Sequence, residues 1–234
     1  MNKISLLLRC FSGKLLLLLC FFMLMDHCTF AQQSKQIEII QAGSLEGVKM
    51  NGVEVRRLVG DVIFKQENTY MYCDSALFYE STNSIDAYGT IRIEGPSAKL
   101  YGDFVHYDGN SKYADISGKE VRMTDGKMDL TTTAMQYDLE NDIGNYQVGG
   151  KVVDKDNVLT SQKGYYYSKD RMVFFKDNVV LTNPKYKMYS DTLKYHTPSS
   201  TTYFFGPSNI YSTGTDSAHI YCENGWYNTK NGEV

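Results

Sequence analysis

A repeat of about thirty residues runs from near residue 54 to the C-terminus, and it restricts the chain to folds built by stacking. A tyrosine column marks it: Tyr79, Tyr107, Tyr137, Tyr167, Tyr195 and Tyr227, spaced 28, 30, 30, 28 and 32 residues apart. Two residues before each stand Leu77, Val105, Met135, Tyr165, Leu193 and Gly225. Halfway between the tyrosines, Gly60, Gly89, Gly118, Gly149 and Gly206 precede short apolar runs. Among these runs are Val62-Ile63-Phe64, Ile91-Arg92-Ile93 and Val121-Arg122-Met123. The copy at Lys176-Asp177-Asn178 keeps its apolar triplet without the glycine. Self-similarity at such a period means that neighbouring units bury each other's apolar faces, giving a long surface or groove in place of a single pocket.

Turn residues punctuate nearly every half-repeat, as at Asp108-Gly109-Asn110, Asp125-Gly126 and Asn183-Pro184. The segments between them are rich in Tyr, Val, Ile, Thr and Phe, which suit half-buried strands. Short turns imply antiparallel pairing. Parity adds a bend. Tyr72, Leu100, Leu130, Met188 and Ile220 lie seven residues before the tyrosines, and the Leu77 row lies two before. Those offsets differ by an odd number, so a straight strand would turn the two rows to opposite faces. A bulge at the intervening residues turns both inward. The fold expected is therefore all-β: an elongated, antiparallel, bent-strand β-jellyroll, V-shaped in section, of about six repeats. Its predicted inner residues are Val62, Phe64, Leu77, Tyr79, Ile91, Ile93, Val105, Tyr107, Val121, Met123, Met135, Tyr137, Leu193 and Tyr195. The adjacent column Phe78, His106, Gln136, Tyr166, Lys194 and Trp226 is predicted to face solvent. Two readings of the interior stay open: a packed core, or an apolar groove for lipid chains.

The first 31 residues have the layout of a cleaved secretory signal. Lys3, Arg9 and Lys14 precede the apolar run Leu15–Leu24, and Thr29-Phe30-Ala31 ends in small residues, so that Gln32 begins the mature chain. The run is short for a membrane span. The mature domain expected is 32–234, and its abrupt end suggests truncation or a longer native chain. Residues 1–31 hold three basic residues and one acidic residue out of totals of 24 and 27, so the mature chain carries 21 against 26, net −5. That balance argues against a nucleic-acid partner. Two cysteines remain, Cys73 and Cys222, in the first and last repeats and too distant for a disulfide.

Chemistry-bearing patterns are sparse. Asp74, Asp103 and Asp191 recur just before the tyrosine columns and read as bend residues more naturally than as catalytic acids. His106, His196 and His219 fall in separate repeats, without metal-ligand spacing. Phosphate loops and nucleophile elbows are absent. No catalytic residue, metal or cofactor is expected.

The opening Ile37-Glu38-Ile39-Ile40-Gln41-Ala42-Gly43-Ser44-Leu45-Glu46 leads to Leu58-Val59-Gly60-Asp61-Val62-Ile63-Phe64. Met71-Tyr72-Cys73-Asp74-Ser75-Ala76-Leu77-Phe78-Tyr79, Ile85-Asp86-Ala87-Tyr88-Gly89 and Ile91-Arg92-Ile93 follow. This succession resembles the OstA/LptA-like family of periplasmic lipopolysaccharide-transport bridge proteins, and its tyrosine- and aspartate-rich flavour is similar to the OstA-like proteins of Bacteroidetes-type bacteria. The resemblance is clearest over residues 37–95. It implies a β-jellyroll in the periplasm, with a possible outer-membrane association, that carries lipopolysaccharide or a related lipid with acyl chains inside and sugars outside. It also implies end-to-end strand addition to other jellyroll proteins of the bridge, or self-association. The rival readings are a structural or adhesive β-solenoid at the cell surface and a carbohydrate-active β-helix enzyme.

Overall fold

Among the described residues, alternating apolar residues and regular turns produce one antiparallel sheet of 16 strands. The computed structural model describes residues 35–214 and 218–234, so the expected signal segment lies outside the described residues. The sheet begins with β1 (Glu38–Gln41), β2 (Ser44–Met50), β3 (Val53–Gln66) and β4 (Thr69–Tyr79). It continues through β5 (Ser84–Glu94), β6 (Lys99–Asp108), β7 (Tyr113–Thr124) and β8 (Asp129–Asp138). Next come β9 (Ile143–Tyr146), β10 (Gly150–Asp154), β11 (Asn157–Ser161) and β12 (Lys163–Tyr167). The last four are β13 (Met172–Asn183), β14 (Tyr186–His196), β15 (Thr201–Ser212) and β16 (His219–Asn228). From β3 to β8 and from β13 to β16 each strand pairs with its neighbours in sequence, as a meander; β1 and β2 both pair with β3, and β9–β12 and β10–β11 bridge β8 to β13 as two separate pairs. Residues Ser34–Val234 form one unit.

A line of register slips crosses this sheet. They fall at Val59/Val62, Tyr72/Ser75, Tyr88/Ile91, Tyr101/Phe104, Ser117/Val121, Lys176/Val179, Ser190/Leu193 and Phe205/Ser208. In the fourth repeat the crease divides strands outright, separating β9 from β10 and β11 from β12. At the other end, β1 pairs with one half of β3 and β2 with the other. The parity argument holds: Leu100 and Val105 stand on either side of the slip and both are buried. The two half-sheets fold toward each other, and their inner faces share one apolar cluster from Ile37 to Ile210.

The crease has a local chemistry. Gly60, Gly89, Gly149 and Gly206 sit there with positive φ. At Gly89 (φ 95°) a Cβ would also lie 2.6 Å from Asp74 Cγ, so glycine is required twice over. The Asp74 carboxylate occupies that space because it accepts the Thr90 N–H at 2.8 Å. Asp103 repeats the contact with the Lys119 N–H at 2.8 Å. Asp191 does not, because the residue after Gly206 is Pro207, which has no N–H to give. In the copy without glycine, Asp177 (φ 63°) and Asn178 (φ 56°) take the left-handed conformation instead, which short polar side chains tolerate best after glycine.

A second regularity lies at the hairpin ends. Asn83, Lys112, Asp142, Arg171 and Ser200 all have φ between 50° and 59°. Their carbonyls accept N–H bonds from the next hairpin, at Gly109, Leu139, Ser168, Thr197 and Thr229, over 2.8–3.2 Å. The turns thus form a ladder of their own beside the strands.

Candidate functional site

The candidate site is the interior between the two half-sheets. Twelve of its predicted residues face inward and are buried: Val62, Phe64, Ile91, Ile93, Val105, Tyr107, Val121, Met123, Met135, Tyr137, Leu193 and Tyr195. Two do not. Leu77 and Tyr79 are half-buried on the outer face, and the inward residues of β4 are Ala76 and Phe78. The fourth repeat carries the same correction. Tyr166 is fully buried, whereas Tyr165 is exposed and Tyr167 half-buried. Phe78 and Tyr166 therefore leave the solvent-facing column; His106, Gln136 and Trp226 are exposed and Lys194 is half-buried, all on the outer face. Likewise Met71 replaces Tyr72 in the row across the crease, joined by Leu159. The corrected column Phe78, Tyr107, Tyr137, Tyr166 and Tyr195 is spaced 29, 30, 29 and 29 residues. That evenness was the available signal. Reading for tyrosine obscured it, since phenylalanine fills the first position.

Tyr146 extends the interior past the crease in the fourth repeat. A Cβ at Gly150 would lie 2.5 Å from its ring and one at Gly164 2.4 Å, so these glycines make room for it. Where residues 133–135 of β8 leave the ladder between β9 and β10, a depression of about 300 Å³ opens to the outer face, lined by Asp115, Gln136, Asn145 and Val148 and reaching down to Met135 and Tyr146. By contrast, the void beside Ile37, Phe64, Ile85 and Tyr107 measures about 10 Å³, about the least that could hold one water.

Why the column is tyrosine becomes clear at the open side of the V, where polar side chains lace the half-sheets together. Tyr107 donates to Gln66 Oε1, Tyr166 to Asp125 Oδ2 at 2.8 Å, and Tyr195 to Asp154 Oδ2 at 2.7 Å. All three pairs are separated by 41 residues. Gln66 Nε2 donates to the Gly109 carbonyl at 2.7 Å and Ser97 Oγ to Asp142 at 3.0 Å. Toward the C-terminal end, Asn157 donates to the Tyr195 hydroxyl at 3.0 Å and to Thr229 at 3.2 Å. The tyrosine body fills the core while its hydroxyl meets a partner at the mouth. In the first repeat the pair is apolar: Phe78 has no hydroxyl, and the residue 41 before it is Ile37, which is buried.

Burial pushes the Tyr137 and Tyr146 phenols up to about 12. Burial and then the Asp125 carboxylate raise Tyr166 further. Asp125 moves the opposite way. Burial pushes it up, but the N–H groups of Met128 and Lys127 and the Tyr166 hydroxyl outweigh that and lower it. The phenols hold their protons firmly, whereas the Asp125 carboxylate gives its proton up and accepts from Tyr166. Among the described residues no cluster of His, Cys, Asp and Glu could hold a metal ion, and Cys73 and Cys222 are both free.

The ends of the interior differ. Ile37 covers the N-terminal end. At the other end, the inner residues of β16 are uncovered: Ile220 is 42% exposed, and Cys222 and Tyr227 are partly so. Thr202 Oγ1 lies buried nearby with no hydrogen-bond partner among the described residues.

Fold and interior together define a repeat scaffold of the bent-strand β-jellyroll type. A family model described as OstA-like protein matches residues 34–191, and the chain belongs to that family. No curated protein matches it. Among solved structures it is similar to LptH, described as the LptA homologous periplasmic component of the conserved lipopolysaccharide transport device from Pseudomonas aeruginosa. The identity is 14% and the TM-score 0.28, with 64% of this chain and 96% of that chain covered.

Proposed function

We propose that this chain is a non-enzymatic periplasmic protein that binds lipopolysaccharide and conveys it towards the outer membrane. Family membership supports the transport reading. The observation that carries it is an apolar interior that runs through six repeats, is shut along one side by side-chain contacts, most of them hydrogen bonds, and reaches the surface at β16. Side-chain bonds of this kind are each worth roughly 0.5–1.5 kcal/mol net, so the seam parts more readily than the backbone ladder. An acyl chain that entered there would leave water at roughly 0.8 kcal/mol per CH₂. The edges of β16 and of β1–β2 lie at the ends of the strand order and offer unpaired backbone groups. Other jellyroll proteins of the bridge, or a second copy, would add strands there.

The filled interior favours a second reading, a structural β-solenoid whose core stays closed. Photo-crosslinking separates the two. Benzoylphenylalanine in place of Tyr137 or Phe175 should capture lipopolysaccharide in cells, and at Gln136 it should not. Equal capture from all three positions, or none from a folded and exported protein, would refute acyl carriage in the interior.

A further inference from the structure

The outer face of the half-sheet nearest the hairpin ladder carries one cross-strand row through every repeat. In register it reads Leu77, Asp86, His106, Asp115, Gln136, Asn145, Tyr165, Phe174, Lys194, Tyr203 and Trp226. Its chemistry changes midway. From Asp86 to Asn145 it is acidic and amide, with His106 Nδ1 bonded to Asp86 at 2.6 Å and Gln136 to Asp115 at 2.8 Å. From Tyr165 to Trp226 it has four aromatic rings, one lysine and no carboxylate. Tyr165, Phe174 and Trp226 are exposed, as is Phe205 beside the row.

Lys194 is the centre of this half. Its ammonium lies 4.5 Å from the Tyr203 ring centroid, 5.7 Å from Phe205 and 5.8 Å from Phe174. Ring faces hold it in place by cation–π attraction, and among the described residues no carboxylate neutralises it. The next row adds Lys176 opposite Lys163, of which Lys163 is paired with Asp177 at 2.7 Å. The surface is thus a strip of aromatic side chains on strands about 4.8 Å apart, with the positive charge of Lys194 at its middle, Thr192 and Asn228 beside it and Asn145 at its far margin.

We propose that this strip binds an anionic saccharide, the phosphorylated sugar portion of the carried lipid. Sugar rings present an apolar C–H face that stacks on aromatic rings, hydroxyls that meet amide and hydroxyl side chains, and here a phosphate that meets Lys194. Aliphatic side chains, which acyl chains or a bilayer would favour, are absent from the row between Tyr165 and Trp226. The acidic half of the same row would repel the phosphate, so the sugar is confined to the C-terminal half. The assignment rests on the lipopolysaccharide reading above, and it puts the sugars outside at a defined place.

Trp226 is the single tryptophan of the sequence, so its fluorescence reports occupancy directly. The mature protein should be titrated with fully deacylated, phosphorylated lipopolysaccharide oligosaccharide. A saturable change in Trp226 emission is expected, about tenfold weaker in Kd for Lys194→Gln and for the dephosphorylated oligosaccharide, and unchanged for His106→Ala. Absence of a saturable change would overturn the proposal. So would equal affinity of the Lys194→Gln protein, checked as folded by circular dichroism, or a larger response to phosphatidylglycerol vesicles than to the sugar. Because the probe has no acyl chains, its binding is independent of the interior crosslinking test: each can fail while the other succeeds.

Discussion

The inner row Phe78–Tyr107–Tyr137–Tyr166–Tyr195 and the outer row that includes His106, Gln136, Tyr165 and Lys194 are built by the same strands, one residue apart. The inner row stays aromatic along its length, because every copy must fill the same gap, and the hydroxyl of each of its four tyrosines has a partner. The outer row is free of that demand and changes from acidic to aromatic and cationic between Asn145 and Tyr165. Packing explains uniformity on one face, and the change on the other is what the proposed saccharide strip would account for.

Neighbouring phenylalanines give the sharpest way to break this contrast. Phe175 is fully buried and Phe174 is 37% exposed. Phe175→Ala should cost roughly 3–5 kcal/mol in urea unfolding, and Phe174→Ala about 0.5 kcal/mol or less. Similar costs for both would overturn the facing of β13. The corrected register of β4 makes the same demand of Phe78→Ala against Tyr79→Ala.

The crease should be nearly as sensitive. Gly89→Ala meets Asp74 and a left-handed φ, and a loss of roughly 1–3 kcal/mol is expected. Gly47, on β2, has no atom within 4 Å of a Cβ, and Gly47→Ala should leave the protein as stable or slightly more so. Thermal melts of the two variants decide the matter.

Alkaline pH tests the inner row as a set. Burial raises the Tyr137 and Tyr146 phenols from 10.0 to about 12. The folded state therefore holds their protons after the unfolded chain has lost them. Stability should be intact below pH 10 and fall as pH climbs toward 12, by about 1.4 kcal/mol per pH unit for each such tyrosine. Urea midpoints measured from pH 8 to 11.5 should show that decline; a flat profile would show that the phenols are hydrated.

The seam follows. Tyr166→Phe removes the hydroxyl that Asp125 accepts and should cost roughly 1–2 kcal/mol. The smallest effect belongs to the acidic outer half. His106→Ala should change stability by less than about 0.5 kcal/mol, since its pair with Asp86 is a surface contact.

Much of this architecture was legible in the chain itself. Turn spacing gave the strands. The odd offset between Leu100 and Val105 gave the crease, because alternation along a strand has only two phases. Where apolar and polar residues alternate, as in Val105-His106-Tyr107 or Met135-Gln136-Tyr137, inward residues could be assigned from sequence alone. Leu77-Phe78-Tyr79 and Tyr165-Tyr166-Tyr167 offer an apolar or aromatic residue at every position, so local pattern cannot choose the phase. The backbone pairing of Phe78 with Ile85 and of Tyr166 with Val173 chose it. The bonds from Tyr107, Tyr166 and Tyr195 to residues 41 positions earlier were also beyond the sequence, since they depend on how far one half-sheet is skewed against the other. The tertiary structure also decided that the interior is filled and laced along its open side while its β16 end stays uncovered, because only folding brings the two apolar faces to a common distance and lets the polar ends of their side chains meet.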